Sequence, residues 1–286
     1  MIFERPKTLD AALGLLSSDK WSMLSGGTDF YPGLQDRQPE GNILDISQIA
    51  GLKKIAKLPD GSWSIGALVT WTGVIKADMP PAFDGLKLAA REVGSVQIQN
   101  RATLAGNICN ASPAADGMPP LLSLDALVEI TSIDGNRRLP ISAFVLGNRK
   151  TDLRDDEIVT AIIIPADAAR GASSFLKLGA RKYLVISISM VAARIEVDDQ
   201  NMIVSAAIGV GSCSLVAKRL TALEAALVGQ SLDKITSKFI SAEHLAELSP
   251  IDDVRASGVY RMDASRELVC RVIADIQGGL SHANSL

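Results

Sequence analysis

Two short polar stretches, Ser25-Gly26-Gly27-Thr28-Asp29 and Thr103-Leu104-Ala105-Gly106-Asn107, constrain this chain more than anything else in it. Each follows an apolar or mixed run, and its small side chains leave backbone N–H groups accessible. Such loops, especially where they open a helix, suit the phosphates of a nucleotide. Neither contains lysine or arginine. An anion there would be held mainly by main-chain dipoles, and the two turns would have to converge on it.

At 286 residues the chain is long enough for two domains. Hydrophobic residues make up 47% but aromatics only 4%, so Ala, Ile, Leu and Val must supply the packing. The 29 basic and 32 acidic residues leave a net charge of −3. With no basic stripe interleaved with aromatics, nucleic acid is not expected as a partner. No run approaches the ~20 apolar residues that span a bilayer. Met1-Ile2-Phe3-Glu4-Arg5-Pro6 lacks the basic, apolar and cleavage regions of a secretory signal, so a cytoplasmic location is expected. Cys109, Cys213 and Cys270 form no CxxC pair, and the histidines are His244 and His282 alone. A metal site or a histidine-based triad has little raw material.

Periodicity predicts a helix over 8–18, strands at Trp21–Leu24 and Ile43–Ile46, a turn at Pro59-Asp60-Gly61 and a strand over 62–68. Helices are expected from Thr70, over Leu86–Val93 with Gly94 as stop, and from Pro119-Pro120. Leu127–Ile133 reads as a strand turning through Asp134-Gly135-Asn136, and Ile158–Ile164 as the last strand before a small, polar linker at 166–172. Beyond it come strands at 173–178, 187–197 and 202–210, then helices near 216–228, 232–247 and 257–277. Strands followed by helices indicate an α+β layer with helices on one face of an antiparallel sheet.

Asp29 either caps a helix starting near Phe30 or offers its carboxylate, with Thr28, beside the exposed amides. The segment Asn107 to Asp116 places two asparagines, a serine and an aspartate among Ile108, Cys109 and alanines. It is too apolar for a solvated loop and reads as one buried against a polar ligand. Asp116 would repel phosphate and so suits hydroxyls or ring N–H groups. Gly209-Val210-Gly211 lacks the third glycine of a dinucleotide fingerprint, and no GxxxxGK[ST] occurs. Cys109 reads as a buried structural thiol, and Lys177 with Arg181-Lys182 as solvated charge.

With both loops placed, Leu24-Ser25-Gly26-Gly27-Thr28-Asp29-Phe30 and Gln97 to Asn107, continuing through Asn110-Ala111-Ser112-Pro113-Ala114-Ala115-Asp116, carry a resemblance. The sequence is similar to the FAD-binding subunit of molybdenum-containing hydroxylases, the xanthine dehydrogenase and aerobic carbon monoxide dehydrogenase group. It departs at Ala105 and Ala102, where glycine is common, and at Gln99, where arginine is common. The resemblance implies an α+β fold: a two-subdomain FAD-binding domain of the vanillyl-alcohol-oxidase-like type over 1–168, split near 60, then a smaller antiparallel-sheet-plus-helices domain over 173–286. It also implies that Leu24 to Phe30, Thr103 to Asn107 and Asn110 hold FAD. Asp116 would face the ribityl or ring side, Val159 would pack on the cofactor and Lys177 would reach the flavin. The expected partners are an iron–sulfur subunit and a molybdenum-cofactor subunit, with NAD, dioxygen or a quinone accepting electrons. A self-sufficient FAD oxidase or reductase and a cofactor-free scaffold are the competing expectations.

Overall fold

The computed structural model describes residues 1–182 and 184–283. The last three residues of the expected second domain and the His282 side chain lie outside the described residues. The chain opens with β1 (Phe3–Glu4), α1 (Leu9–Leu16), β2 (Trp21–Leu24), α2 (Phe30–Leu34) and β3 (Asn42–Asp45). Thr8 starts α1 by accepting the Ala11 N–H at 3.3 Å. The helix then buries Ala12, Leu13 and Leu16 on one face, at the spacing that a 3.6-residue turn requires. The strands pair in parallel in the order β1-β3-β2. Their helices are crossovers, so the carboxyl ends of β2 and β3 point the same way.

A second, antiparallel sheet follows. Its elements are β4 (Ile55–Lys57), β5 (Trp63–Gly66), α3 (Trp71–Lys76), α4 (Asp84–Glu92), α5 (Val96–Gln99), α6 (Leu104–Cys109) and α7 (Met118–Ser123). They continue with β6 (Leu127–Ser132), β7 (Gly135–Pro140), α8 (Ile141–Phe144), a small β8 (Val145–Gly147) and β9 (Lys150–Thr151) ladder, and β10 (Ile158–Ile164). The strand order is β4-β5-β10-β6-β7. All seven residues of β10 are buried. A short run rich in β-branched residues, apolar but for Thr160, suits a strand covered on both faces, and β10 accordingly sits in the centre. Ser132 pairs with Gly135, so the hairpin turns through Ile133-Asp134, one residue earlier than the sequence signal indicates.

The third sheet contains β11 (Ala172–Leu178), β12 (Ser189–Val197), β13 (Ile203–Gly211) and β14 (Lys218–Arg219), antiparallel in that order, followed by α9 (Thr221–Leu227) and α10 (Gly258–Ala283). Along β12, Val191, Ala193 and Ile195 join the core that includes α9 and α10. Met190 and Ala192 turn the other way, onto Phe175 and Ala89 of α4. Helices therefore cover both faces of this sheet, not one as the sequence indicates, because α4 and α7 of the preceding part close the second face. The 166–172 stretch is correspondingly not a free linker. It holds a 3-10 turn at Asp167–Ala169 with Ala168 buried, and β11 starts at its end.

Two helical expectations change. Residues 216–228 divide into β14 and α9, and 232–247 forms only two 3-10 turns, Leu232–Lys234 and Ala242–Leu245. The second segment needs no helix because α10 takes up its carbonyls. Gln277 donates to Leu232 O and Ile235 O, and Arg266 donates to Ile240 O and Ser237 O.

Candidate functional site

A cavity of about 530 Å³ opens between the parallel sheet and the five-stranded sheet. One side is the end of β2 and the loop after it, Leu24 to Phe30. This is the usual place for a ligand in such a sheet, beyond the carboxyl ends of parallel strands. The other side is α6 and the residue leading into it. That loop is fixed by its backbone, since Trp71 N–H donates to Ala102 O at 3.1 Å and Leu104 N–H to Val69 O at 3.0 Å. Thr103 caps α6, its hydroxyl accepting the Gly106 N–H at 3.0 Å. The same hydroxyl lies 3.5 Å from Ser25 Oγ, so the two loops meet. A Cβ on Gly26 would strike the Arg101 carbonyl, which is why the first loop can lie flat against the second only with glycine there.

The amides of Ser25, Gly26, Gly27, Thr28 and Asp29 find no acceptor among the described residues. Asp29 is exposed, but Ser25 to Thr28 are half-buried, where N–H groups are usually paired, so consecutive unclaimed donors on a cavity wall mark where a ligand's acceptors go. Ala67, Trp71, Val93, Ile98, Leu153 and Val159 supply apolar wall. Leu153 and the start of β10 are held by Arg137, which clasps Glu157 at 2.7 Å and Asp152 at 2.7 Å. The Arg137 hydrogen bond is the main reason Glu157 stays ionised below the usual carboxylate range. Cys109 is also on the wall, and burial pushes its thiol up to about 12.

Of the residues singled out from sequence, Leu24, Ser25, Gly26, Gly27, Thr28, Asp29, Phe30, Thr103, Ala105, Gly106, Asn107, Asn110 and Val159 line this cavity. Leu104 does not; it is fully buried in the central core. Asp116 and Lys177 are not on the wall either. They pair with each other at 2.9 Å, with side chains 12% and 6% exposed, and Ser187 Oγ donates to Asp116 at 3.2 Å. The pair joins the segment before α7 to β11. Burial raises the Asp116 carboxyl despite the ammonium beside it. Lys177 is thus not solvated charge but a buried partner. Asp29 occupies the N-cap position of α2 without capping it. Its carboxylate goes instead to Arg149 at 2.6 Å. Gln99, which stands where the resemblance has arginine, donates its amide to Arg91 O and Val93 O at the end of α4.

Sequence reasoning missed the apolar half of the wall, including Ala67, Trp71 and Ile98. Those residues read as ordinary core and carry no separate signal. It also missed Arg149 as a neighbour of the first loop, which lies far from it along the chain.

The family model described as FAD binding domain in molybdopterin dehydrogenase matches residues 1–167. The chain belongs to that family. A second model, the CO dehydrogenase flavoprotein C-terminal domain, matches residues 174–276. The nicotinate dehydrogenase FAD-subunit of Eubacterium barkeri is 30% identical, covering 96% of this chain and 95% of its own length. The xanthine dehydrogenase FAD-binding subunit of Escherichia coli O157:H7 is 31% identical, covering 96% and 94%. Among solved structures, carbon monoxide dehydrogenase from Hydrogenophaga pseudoflava matches with a TM-score of 0.86 at 24% identity, over 97% of both chains. Quinoline 2-oxidoreductase from Pseudomonas putida 86 also gives 0.86 at 24% identity, likewise over 97% of each. These two likenesses establish the fold.

The chain is therefore a FAD-binding subunit of the molybdenum hydroxylase family and part of an oxidoreductase. Its cavity fits that cofactor on its own terms. Unclaimed amides suit a pyrophosphate, the adjoining apolar wall suits flat rings, and glycine keeps the cradle free of side chains. No helix among the described residues is long and apolar enough to cross a membrane.

Proposed function

We propose that this chain relays electrons within a multi-subunit molybdenum hydroxylase, from an iron–sulfur subunit through FAD to NAD, dioxygen or a quinone. A molybdenum-cofactor subunit would oxidise the substrate, and the assembly would work in the cytoplasm. FAD supplies the redox chemistry, accepting electrons one at a time and releasing them singly or in pairs. The residues of this chain bind it, orient it and keep water from it. The amides from Ser25 to Asp29 and the first turn of α6 would hold the pyrophosphate, with Thr103 and Asn107 fixing that turn. Trp71, Ile98 and Val159 would bound the rings. Asp116 and Lys177 would act from behind, by fixing the third sheet against the cofactor domain.

The observation that carries this reading is the set of unclaimed amides at the meeting of two loops. A further one weighs against a self-sufficient oxidase. Among the described residues on the wall, the ionisable groups are Asp29, tied to Arg149, and Cys109, which burial keeps protonated to about pH 12. The thiol is thus no proton acceptor near neutrality, and the carboxylate is engaged by a guanidinium. The test has two parts. Thr28→Trp, which fills the cradle, should yield folded but colourless protein, while the wild-type chain purifies with one FAD. In the assembled complex, adding the reducing substrate should bleach the flavin band, and one of the three acceptors should restore it. Colour that survives the tryptophan, or turnover by this polypeptide alone, would reject the proposal.

A further inference from the structure

Asp29 is the one carboxylate on the cavity wall among the described residues, and its own amide belongs to the cradle. A pyrophosphate placed there would meet a negative charge within one turn of chain. Among the described residues only Arg149 pairs with it. Its guanidinium donates to Asp29 Oδ2 at 2.6 Å and Oδ1 at 3.5 Å, and also to Asn110 Oδ1. Arg149 is not itself a wall residue. It stands behind the carboxylate with φ +57°, its N–H donating to Ala111 O at 2.9 Å, so the backbone is fixed in an unusual conformation that aims this one side chain.

We infer that Arg149 is the counter-charge that lets the amide cradle accept an anion beside Asp29, without touching the anion. This rests on the placing of FAD in the cavity. Neutralised by the guanidinium, Asp29 leaves the local field to the amide dipoles. Stripped of it, the carboxylate would oppose the pyrophosphate. At the separations within one turn and a surface-like dielectric, that opposition lowers affinity about tenfold.

FAD titration of the full-length chain, followed by quenching of flavin fluorescence, tests the idea. Arg149→Gln should raise the Kd about tenfold. Asp29→Asn should stay within about threefold of wild type, and the double variant should return to the same range, because no charge is left to offset. Arg149→Lys keeps the charge and should retain FAD. Added salt should tighten binding by Arg149→Gln, since it screens a repulsion. A double variant as weak as Arg149→Gln would overturn the inference. So would wild-type binding that weakens steeply with salt, because either result means the guanidinium acts on the phosphate itself. Wild-type protein that binds no FAD would instead defeat the functional reading on which this rests.

Discussion

The chain contains two internal junctions, and they are built in opposite ways. Between the parallel and the five-stranded sheets the polypeptide leaves a cavity, with Asp29 its one wall carboxylate and amides that donate to nothing among the described residues. Between the five-stranded part and the third sheet, polar side chains of one meet backbone and carboxylates of the other. Arg194 is buried there and donates to Ser123 O at 2.9 Å, and Arg219 donates to Leu122 O at 3.0 Å and to Asp125 at 2.6 Å, so two arginines of the third sheet cap the end of α7. Asp116 and Lys177 lie in the same seam. The difference teaches where to look for function. Most polar groups of the seam are matched within the chain, Arg194 Nη1 excepted, whereas the cavity presents a whole run of donors left over.

Substitutions should separate the two junctions cleanly. Lys177→Met leaves Asp116 buried without its partner and should cost about 3 kcal/mol of stability at neutral pH. The penalty has a pH signature. Burial raises Asp116 above its ordinary 3.8 in the folded state, and removing the ammonium raises it further. A raised carboxyl favours folding where it is protonated and loses that advantage as pH climbs, so the deficit should vanish near pH 3.8 and grow above it. Chemical denaturation across pH would show this, and a deficit that shrinks toward neutrality would contradict it. Next in size, Gly209→Val should cost about 2 kcal/mol in thermal unfolding. Its Cβ would stand 2.5 Å from Pro119 O of α7, and backbone cannot yield.

On the open side the effects should fall on the cofactor. Thr103→Val removes the α6 cap and should cost only about 1 kcal/mol of stability while loosening FAD severalfold, measured by unfolding and by titration. Smallest of all, Cys109 in FAD-free protein should resist iodoacetamide at pH 8, since a thiol pushed to about 12 is almost wholly protonated. Rapid alkylation, read by mass spectrometry, would show that the cavity wall opens more than its geometry allows.

The two loops and the buried run of β10 were legible because each is a local signal. Small residues in Ser25 to Asp29 declare a bare backbone, and a run of seven residues that is apolar but for Thr160 declares a central strand. What escaped depends on partners distant in sequence. Nothing around Lys177 announces that Asp116 waits across the seam, and nothing around Asp29 announces Arg149. The segment 232–247 failed for the same reason: its composition allows a helix, but side chains of α10 satisfy its carbonyls in another shape. Chain-local propensity is a weak guide wherever tertiary contacts supply the hydrogen bonds.

The alternation along β12 limits how this protein can be taken apart. Its odd-numbered side chains serve one half of the molecule and its even-numbered ones the other. A cut between the two matched segments would therefore strip a face from each product, although the sequence divides neatly there. Grafting residues 174–276 onto another flavoprotein would require α4 and α7 to travel with them. In breeding or engineering such enzymes, the unit of exchange is the whole chain.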